Sequence, residues 1–404
     1  MKNILIITGM YLPYPSANGA CLDAVLKEFF KKGFFSHVIS LSEYENVYNC
    51  NYAEVHSLKI EKKESKSIFG KIRNAFFQIL NYPLLSSYLL KSAYKKCEDV
   101  IKEYDISFVL CVQKPASSGY IGVKIKDKFP NIPVVLYELD SLTDNIDNYE
   151  SWTRFFSARN ECIEKKIYSK LDCILQLESH RLYYTDKRYY KYSSKCCIID
   201  IPLVEKEVYE QSIIVKPQGH YRLVYSGVLY KEMRNPLYML TLLERVCYSR
   251  GDIDTYIYSR GDCDDILVDY EKGSLNNHLF LRGYIPKKEL DVIIGNADIL
   301  VSIGNQFKVP VAALPSKVLY YISTGKPIVH FAFNKEDICI PYLQKYPNAI
   351  ILYQDQNVEH NASLLNTFID RLDGSLVDFE EIKRKFATNT ASYTASVLTN
   401  HLML

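Results

Sequence analysis

Short, strongly apolar runs alternate with longer segments of helical periodicity along this chain, and the pattern occurs twice, on either side of a stretch rich in turn formers. In the first half the strand candidates are Ile4 to Thr8, His37 to Leu41, Ile106 to Val112, Val134 to Tyr137 and Cys173 to Gln176. In the second half they are Tyr221 to Ser226, Thr255 to Ser259, Leu279 to Leu281, Ile299 to Ser302 and Ile328 to Phe331. A strand covered on both faces reads as an unbroken apolar run, and parallel strands need a crossover helix between them. The pattern therefore predicts an α/β protein of two Rossmann-like domains, with parallel sheets facing a central cleft. Ile201 to Gly219, with Pro202, Pro217 and Gly219, reads as the linker. The expected divisions are 1–205, 206–385 and a helical C-terminal segment, 386–404, for which a return to the first domain is one placement. At 404 residues the chain is long enough for two cores.

Charge and cysteine content narrow the function classes. The formal net charge is +2, so no global attraction to nucleic acid is expected, and any anionic ligand must be held by local cations. Eleven cysteines, an odd number without CxxC spacing, fit free thiols in a reducing compartment. The first apolar run, Ile4 to Ile7, is too short for a signal peptide or a membrane span, so the expected location is the cytoplasm.

In folds of this kind ligands bind beyond the carboxyl ends of the strands. After the first strand, Asn18 and Gly19 precede an amphipathic helix, where backbone amides can approach a phosphate; an ordinary βα turn explains them equally well. After Val134 to Tyr137 come Glu138 and Asp140, two carboxylates that can orient sugar hydroxyls or assist an attacking alcohol, or simply cap a helix. The strand Tyr221 to Ser226 leads into Gly227 and then Lys231 and Arg234 ahead of a helix marked by Asn235 and Pro236. Cations beside a helix N-terminus suit a diphosphate, with Arg234 the stronger candidate and solvated surface charge the alternative for Lys231. Gly283, Tyr284 and Ile285 form a loop that can present backbone polar groups to a nucleotide base, or serve only as a turn. Asp252/Asp254 and Asp262/Asp264 have DxD spacing, but turn chemistry accounts for both, and no metal is expected.

The segment Leu314 to Ile328, LPSKVLYYISTGKPI, carries the most information. Pro315 and Ser316 start a helix, Gly325 ends it and Pro327 precedes a strand. Lys317 in the first helical turn opposes the helix dipole unless an anion lies near, which favours a phosphate or sugar site.

With these residues in place, the chain resembles the large retaining glycosyltransferase families of GT-B fold, especially family four, including bacterial capsule, O-antigen and exopolysaccharide members. The likeness runs through the NGA, LYELD, SGVL, YSRGD, GYIP and NADILVS segments to PSKVLYYISTGKPI. It implies a nucleotide-diphosphate sugar held mainly by the second domain and a saccharide acceptor, lipid-linked in some members, held mainly by the first. It also implies metal-independent transfer with retention, no cofactor beyond the donor substrate, and no assigned protein nucleophile. On the resemblance Asn18 and Gly19 face the diphosphate, Arg234 binds it, Ser316 and Lys317 sit at the phosphate-side helix end, and Glu138 and Asp140 lie near the transferred sugar. The chain departs from the pattern in three places. Val228 stands where a basic residue often follows the SG pair, Tyr320 where many members have a ribose-binding Glu, and Ala312 at the position of a second carboxylate.

From Ser65 to Cys97 lysines, arginine and apolar residues mix without an acidic residue. The segment reads either as helices covering the first sheet or as a peripheral contact (65–97) with the inner face of an anionic cell membrane. Three functions fit the whole: a sugar transferase, a non-catalytic partner of the same fold, and a nucleotide-sugar epimerase.

Overall fold

A computed structural model of the chain describes residues 1–9, 11, 17–41, 50–58, 79–143, 155–180, 185–206, 217–306 and 316–404. Pro315, Ala312, most of the linker and 65–78 of the basic apolar segment lie outside the described residues. The chain divides into two compact units, Met1–Leu203 with Thr388–Leu404, and Val204–Lys308 with Leu314–Ala387.

The first unit is built on a seven-stranded parallel sheet in the order β3-β2-β1-β4-β5-β6-β7. Its strands are β1 Lys2–Thr8, β2 Phe34–Ser40, β3 Ala53–Ser57, β4 Ile106–Val112, β5 Val134–Glu138, β6 Cys173–Leu177 and β7 Cys196–Ile199. Helices α1 Ala17–Lys31, α2 Ser87–Glu103, α3 Ala116–Lys128 and α4 Ser157–Lys170 provide crossovers. In α2 the buried side chains Leu89, Leu90, Ala93, Cys97 and Val100 repeat at helical spacing, and Ser86 caps the start by accepting from the Leu89 amide. Residues 87–97 thus turn their apolar face into the core, the covering role foreseen as one of the two readings for that segment. Among the described residues no helix is long and apolar enough to cross a membrane.

The second unit holds a six-stranded parallel sheet ordered β10-β9-β8-β11-β12-β13. The strands are β8 Tyr221–Leu229, β9 Ile253–Gly261, β10 Leu279–Leu281, β11 Ile299–Ile303, β12 Ile328–Ala332 and β13 Ala349–Tyr353. Its helices are α5 Leu237–Ser249, α6 Asp264–Lys272, α7 Lys287–Gly295, α8 Ser316–Ser323, α9 Ile340–Lys345, α10 Val358–Asp370 and α11 Phe379–Lys385. Both sheets grow outward in two directions from a central pair, β1 with β4 and β8 with β11, and that pair is the switch point where doubly wound folds bind ligands. The fold class of each unit is the one expected, a doubly wound α/β sheet.

The last helix, α12 Ala391–His401, is capped by Thr390 and belongs to the first unit, where it packs on α1 and β7. Just before it Asn389 donates to the Ile201 carbonyl at 3.4 Å.

Candidate active site

In the second unit the carboxyl end of β8 meets the start of α8. Gly227 has φ +135°, and a Cβ there would lie 3.0 Å from the Lys317 Nζ, so the glycine makes room for the lysine. Lys317 donates to the Ser226 carbonyl at 3.0 Å and its ammonium sits 4.1 Å from the centroid of the Tyr225 ring. Burial, with the Arg234 cation added, pushes the Lys317 ammonium well below the usual lysine range. The β8 end is held by Tyr321, whose hydroxyl accepts from the Ser226 amide at 3.2 Å and meets the Ser226 Oγ at 2.8 Å.

Arg234 closes a tight loop, its amide bonded to the Tyr230 carbonyl. Its Nε donates to the Asn305 Oδ1 at 2.7 Å, which aims the guanidinium with one arm and leaves the fork unspent among the described residues. Asn305 lies just beyond β11, where Gln306 is tied to the Met233 carbonyl at 2.8 Å, so the arginine loop and the β11 loop are one assembly. Gly304 allows a further close approach, since a Cβ there would lie 1.7 Å from an Asp337 carboxylate oxygen. That carboxylate is paired with buried His330 at 3.1 Å. Among the described residues neither Arg234 nor Lys317 has a carboxylate partner. Two neighbouring cations without a carboxylate partner among the described residues, at a strand end and a helix N-terminus, have the chemistry that suits an anion.

The other positions singled out in the sequence fall in different surroundings. Lys231 is exposed, and its ammonium pairs with Asp265 at 2.6 Å. Ser316 opens α8 and is half-buried. Tyr320 donates to Asp291 at 2.7 Å, and Lys287 lies 5.0 Å from its ring centroid. That ties α8 to α7, which follows the loop Gly283, Tyr284 and Ile285. Tyr284 is exposed and stacks under the Arg260 guanidinium at 5.2 Å. Asp252 pairs with Arg250 and Asp254 with His220 at the amino end of β9, while Asp262 accepts from the Lys231 amide.

In the first unit the carboxyl ends of β1, β4, β5 and β6 bring together Asn18, Lys114, Asp140 and His180. The Asn18 amide donates to Asp140 at 3.3 Å, and the Lys114 ammonium lies 3.9 Å from the same carboxylate. Gly19 is buried in the first turn of α1. Gly9 admits Lys114 and Pro115, since a Cβ there would fall 2.6 Å from the Pro115 ring. His180 is buried, its Nε2 without a partner among the described residues, and burial holds its imidazole down at about 4, against the opposing pull of Asp140. Among the described residues neither side-chain polar atom of buried Gln113 has a partner. Buried polar atoms ordinarily find a partner in protein, water or ligand.

Glu138 is turned inward instead. It accepts from Tyr168 and, at 2.8 Å, from Gln176, beside Glu164, which itself accepts from Thr143, Tyr189 and the Leu142 amide. Burial and the Glu164 charge push the Glu138 carboxyl well above the usual glutamate range. A raised carboxyl stabilises the fold fully below the unfolded-state value and loses that contribution as pH climbs from there through the folded-state value. Stability should therefore fall with rising pH above about 4.3, and Glu138→Gln should flatten that slope in urea midpoints measured across pH. A mutant profile parallel to the parent's would show that Glu138 is not the titrating group.

Arg234 and Lys317 were legible from their places at a strand end and a helix start. Asn305, Lys114, Gln113 and His180 were not singled out. The strand-end rule would have found the first three, whereas His180 follows β6 in a segment whose sequence carries no motif.

No family model matches the chain, and no curated protein matches it. Solved structures do. Sucrose-phosphate synthase from Thermosynechococcus elongatus superposes with a TM-score of 0.66 at 12% identity over 100% of this chain and 99% of its own. WaaG, a glycosyltransferase involved in lipopolysaccharide biosynthesis, gives 0.60 at 12% identity over 98% and 100%. A UDP-N-acetylglucosamine 2-epimerase gives 0.55 at 10% identity over 99% and 96%. At these identities the likeness establishes a shared GT-B architecture over the full chain.

Proposed function

We propose that the protein is a glycosyltransferase that moves a sugar from a nucleotide-diphosphate donor to a saccharide acceptor, with retention and without a metal or resident cofactor. The observation that carries this reading is the pair Arg234 and Lys317, two neighbouring cations with no carboxylate partner among the described residues, at the switch point of the second sheet. A departing nucleoside diphosphate gains charge as the sugar–phosphate bond breaks. Two cations and the amino end of α8 can stabilise that charge in place of a metal. Gly227 and Ser316 are assigned to the same corner, and the loop Gly283, Tyr284 and Ile285, with Tyr320, to the base side.

The acceptor is assigned to the first unit. Asp140, held by Asn18 and Lys114, would orient a sugar hydroxyl, and the Gln113 and His180 atoms without a partner among the described residues suit further hydroxyls. A cytoplasmic enzyme of bacterial surface polysaccharide synthesis, acting on a lipid-linked saccharide at the inner membrane face, is the setting we propose. It would contact the membrane peripherally through the part of 65–97 that precedes α2. The shared fold of the 2-epimerase supports a second reading, conversion of the nucleotide sugar itself. Incubating donor with and without acceptor saccharides separates the two: transfer releases nucleoside diphosphate only with acceptor, and an epimerised donor formed without acceptor overturns the transferase assignment.

The depressed Lys317 ammonium supplies another test. A bound diphosphate restores its affinity for a proton, so binding should take up protons at a pH where the free lysine is partly neutral. Calorimetry in buffers of different ionisation enthalpy reads this uptake directly. Uptake should vanish in Lys317→Met, and an unchanged value there would remove Lys317 from the diphosphate site.

A further inference from the structure

Away from these loops, two thiols and an imidazole converge at the edge of the first sheet. Cys173 begins β6 and Cys197 lies on neighbouring β7, in a register that sets Leu175 opposite Cys197. Side chains two apart on a strand share a face, so Cys173 and Cys197 are diagonal neighbours on one side of the sheet. Cys196 turns its Sγ elsewhere, 3.4 Å from the Tyr192 carbonyl. His401, at the end of α12, comes over the pair. The Cys173 and Cys197 sulfurs are 3.6 Å apart, the Cys197 Sγ is 3.3 Å from the His401 Nδ1, and all three atoms lie within 4.8 Å of one another.

We propose that Cys173, Cys197 and His401 bind a soft divalent cation of the zinc type, with water in a fourth position. Tetrahedral bonds of about 2.3 Å to sulfur and about 2.0 Å to nitrogen set ligand–ligand edges near ~3.8 Å for S–S and ~3.5 Å for S–N. The two measured edges differ from these by only a few tenths of an ångström, so closure on a metal asks little beyond drawing His401 toward Cys173. A disulfide needs the sulfurs at about 2.05 Å, a far larger displacement across a hydrogen-bonded pair of strands. The residue types agree, since two thiolates and an imidazole select zinc over calcium or magnesium. Binding would leave both sulfurs as thiolates on the metal, and whatever protons they carry would pass to solvent.

The site would join residues far apart in sequence and pin α12 to the edge strand β7. The metal would thus act as a staple of the first unit, independent of the sugar chemistry above. Half-buried Cys197 and exposed His401 leave a path for the ion.

The test is zinc titration of the chelator-stripped full-length chain against a chromophoric competitor, with cobalt as a second probe. One equivalent should bind, cobalt should show thiolate-to-metal charge-transfer absorption, and zinc should raise the unfolding temperature. In Cys197→Ser and in His401→Ala affinity should drop at least tenfold and the stabilisation should disappear. The His401 side chain is exposed, so that variant keeps the test valid if the cysteine variant misfolds. No stoichiometric binding, equal binding by parent and His401→Ala, or two missing thiols in the isolated protein, marking a disulfide, would each overturn the proposal.

Discussion

Arg234→Ala should lower sugar transfer by about 10²–10³-fold, the usual cost of removing one preorganised donor to developing charge, with little change in unfolding temperature. The side chain is half-buried and its only hydrogen bond among the described residues is to Asn305, so little of the fold depends on it. If the guanidinium meets the diphosphate mainly as the bond to the sugar breaks, kcat falls with kcat/KM; if it binds the ground state equally well, KM rises alone. Lys317→Met should match the loss in rate but differ in stability. Its ammonium is depressed by burial and by Arg234, which marks it as a strained cation in the ligand-free protein. A methionine of similar shape relieves that strain, so Lys317→Met should unfold at a higher temperature than the parent while losing transfer. That opposition is the signature of a site organised for a ligand.

Gly261→Ala should be the most damaging single methyl addition. Gly261 has φ +139°, and a Cβ there would stand 1.7 Å from the Leu229 carbonyl oxygen and 2.8 Å from its carbon. Backbone cannot yield as a side-chain tip can, so the last β8–β9 pair, Leu229 with Gly261, must separate. The expected loss is about 3–5 kcal/mol of stability in the second unit, combining strained backbone with a broken core edge. Because Leu229 leads into the loop that carries Arg234, transfer should fall in the same variant even where it remains folded. Gly251→Ala is the control: nothing lies within 4 Å of its added Cβ. Denaturant unfolding of the two variants side by side should separate them clearly, and equal midpoints would refute the close approach of β8 and β9.

How far the sequence reveals these features depends on where each is held. The central strands β1, β4, β5, β8 and β11 were legible because both faces are covered and their residues form unbroken apolar runs. The outer strands β3, AEVHS, and β7, CCII, are short and mixed, and pairing with a neighbour makes them strands more than their own residues do. β13, AIILY, is apolar enough to read but sits at an edge. β8 and β9 run past their expected ends because Gly227 and Gly261 take positive φ and let pairing continue through Leu229.

The site shows the same division. Lys317 was conspicuous because a cation at a helix start contradicts the local dipole, and Arg234 because it follows a strand. Lys231 shares that local pattern, yet Asp265, brought in by α6, takes its charge. Glu138 stands at a strand end like Asp140, but the inward strand position delivers it to Tyr168 and Gln176. Asn305 matters through Arg234 and His180 through burial beside Asp140, both of which tertiary folding supplies.

The central claim is that Arg234 and Lys317 hold a diphosphate. The most direct measurement is equilibrium binding of uridine, guanosine, adenosine and thymidine diphosphate sugars, and of the free diphosphates, to the parent, Arg234→Ala and Lys317→Met. At least one nucleotide should bind the parent, with affinity falling as ionic strength rises and dropping tenfold or more in each variant. Binding that survives both substitutions unchanged, or no nucleotide binding by the folded parent, would contradict it.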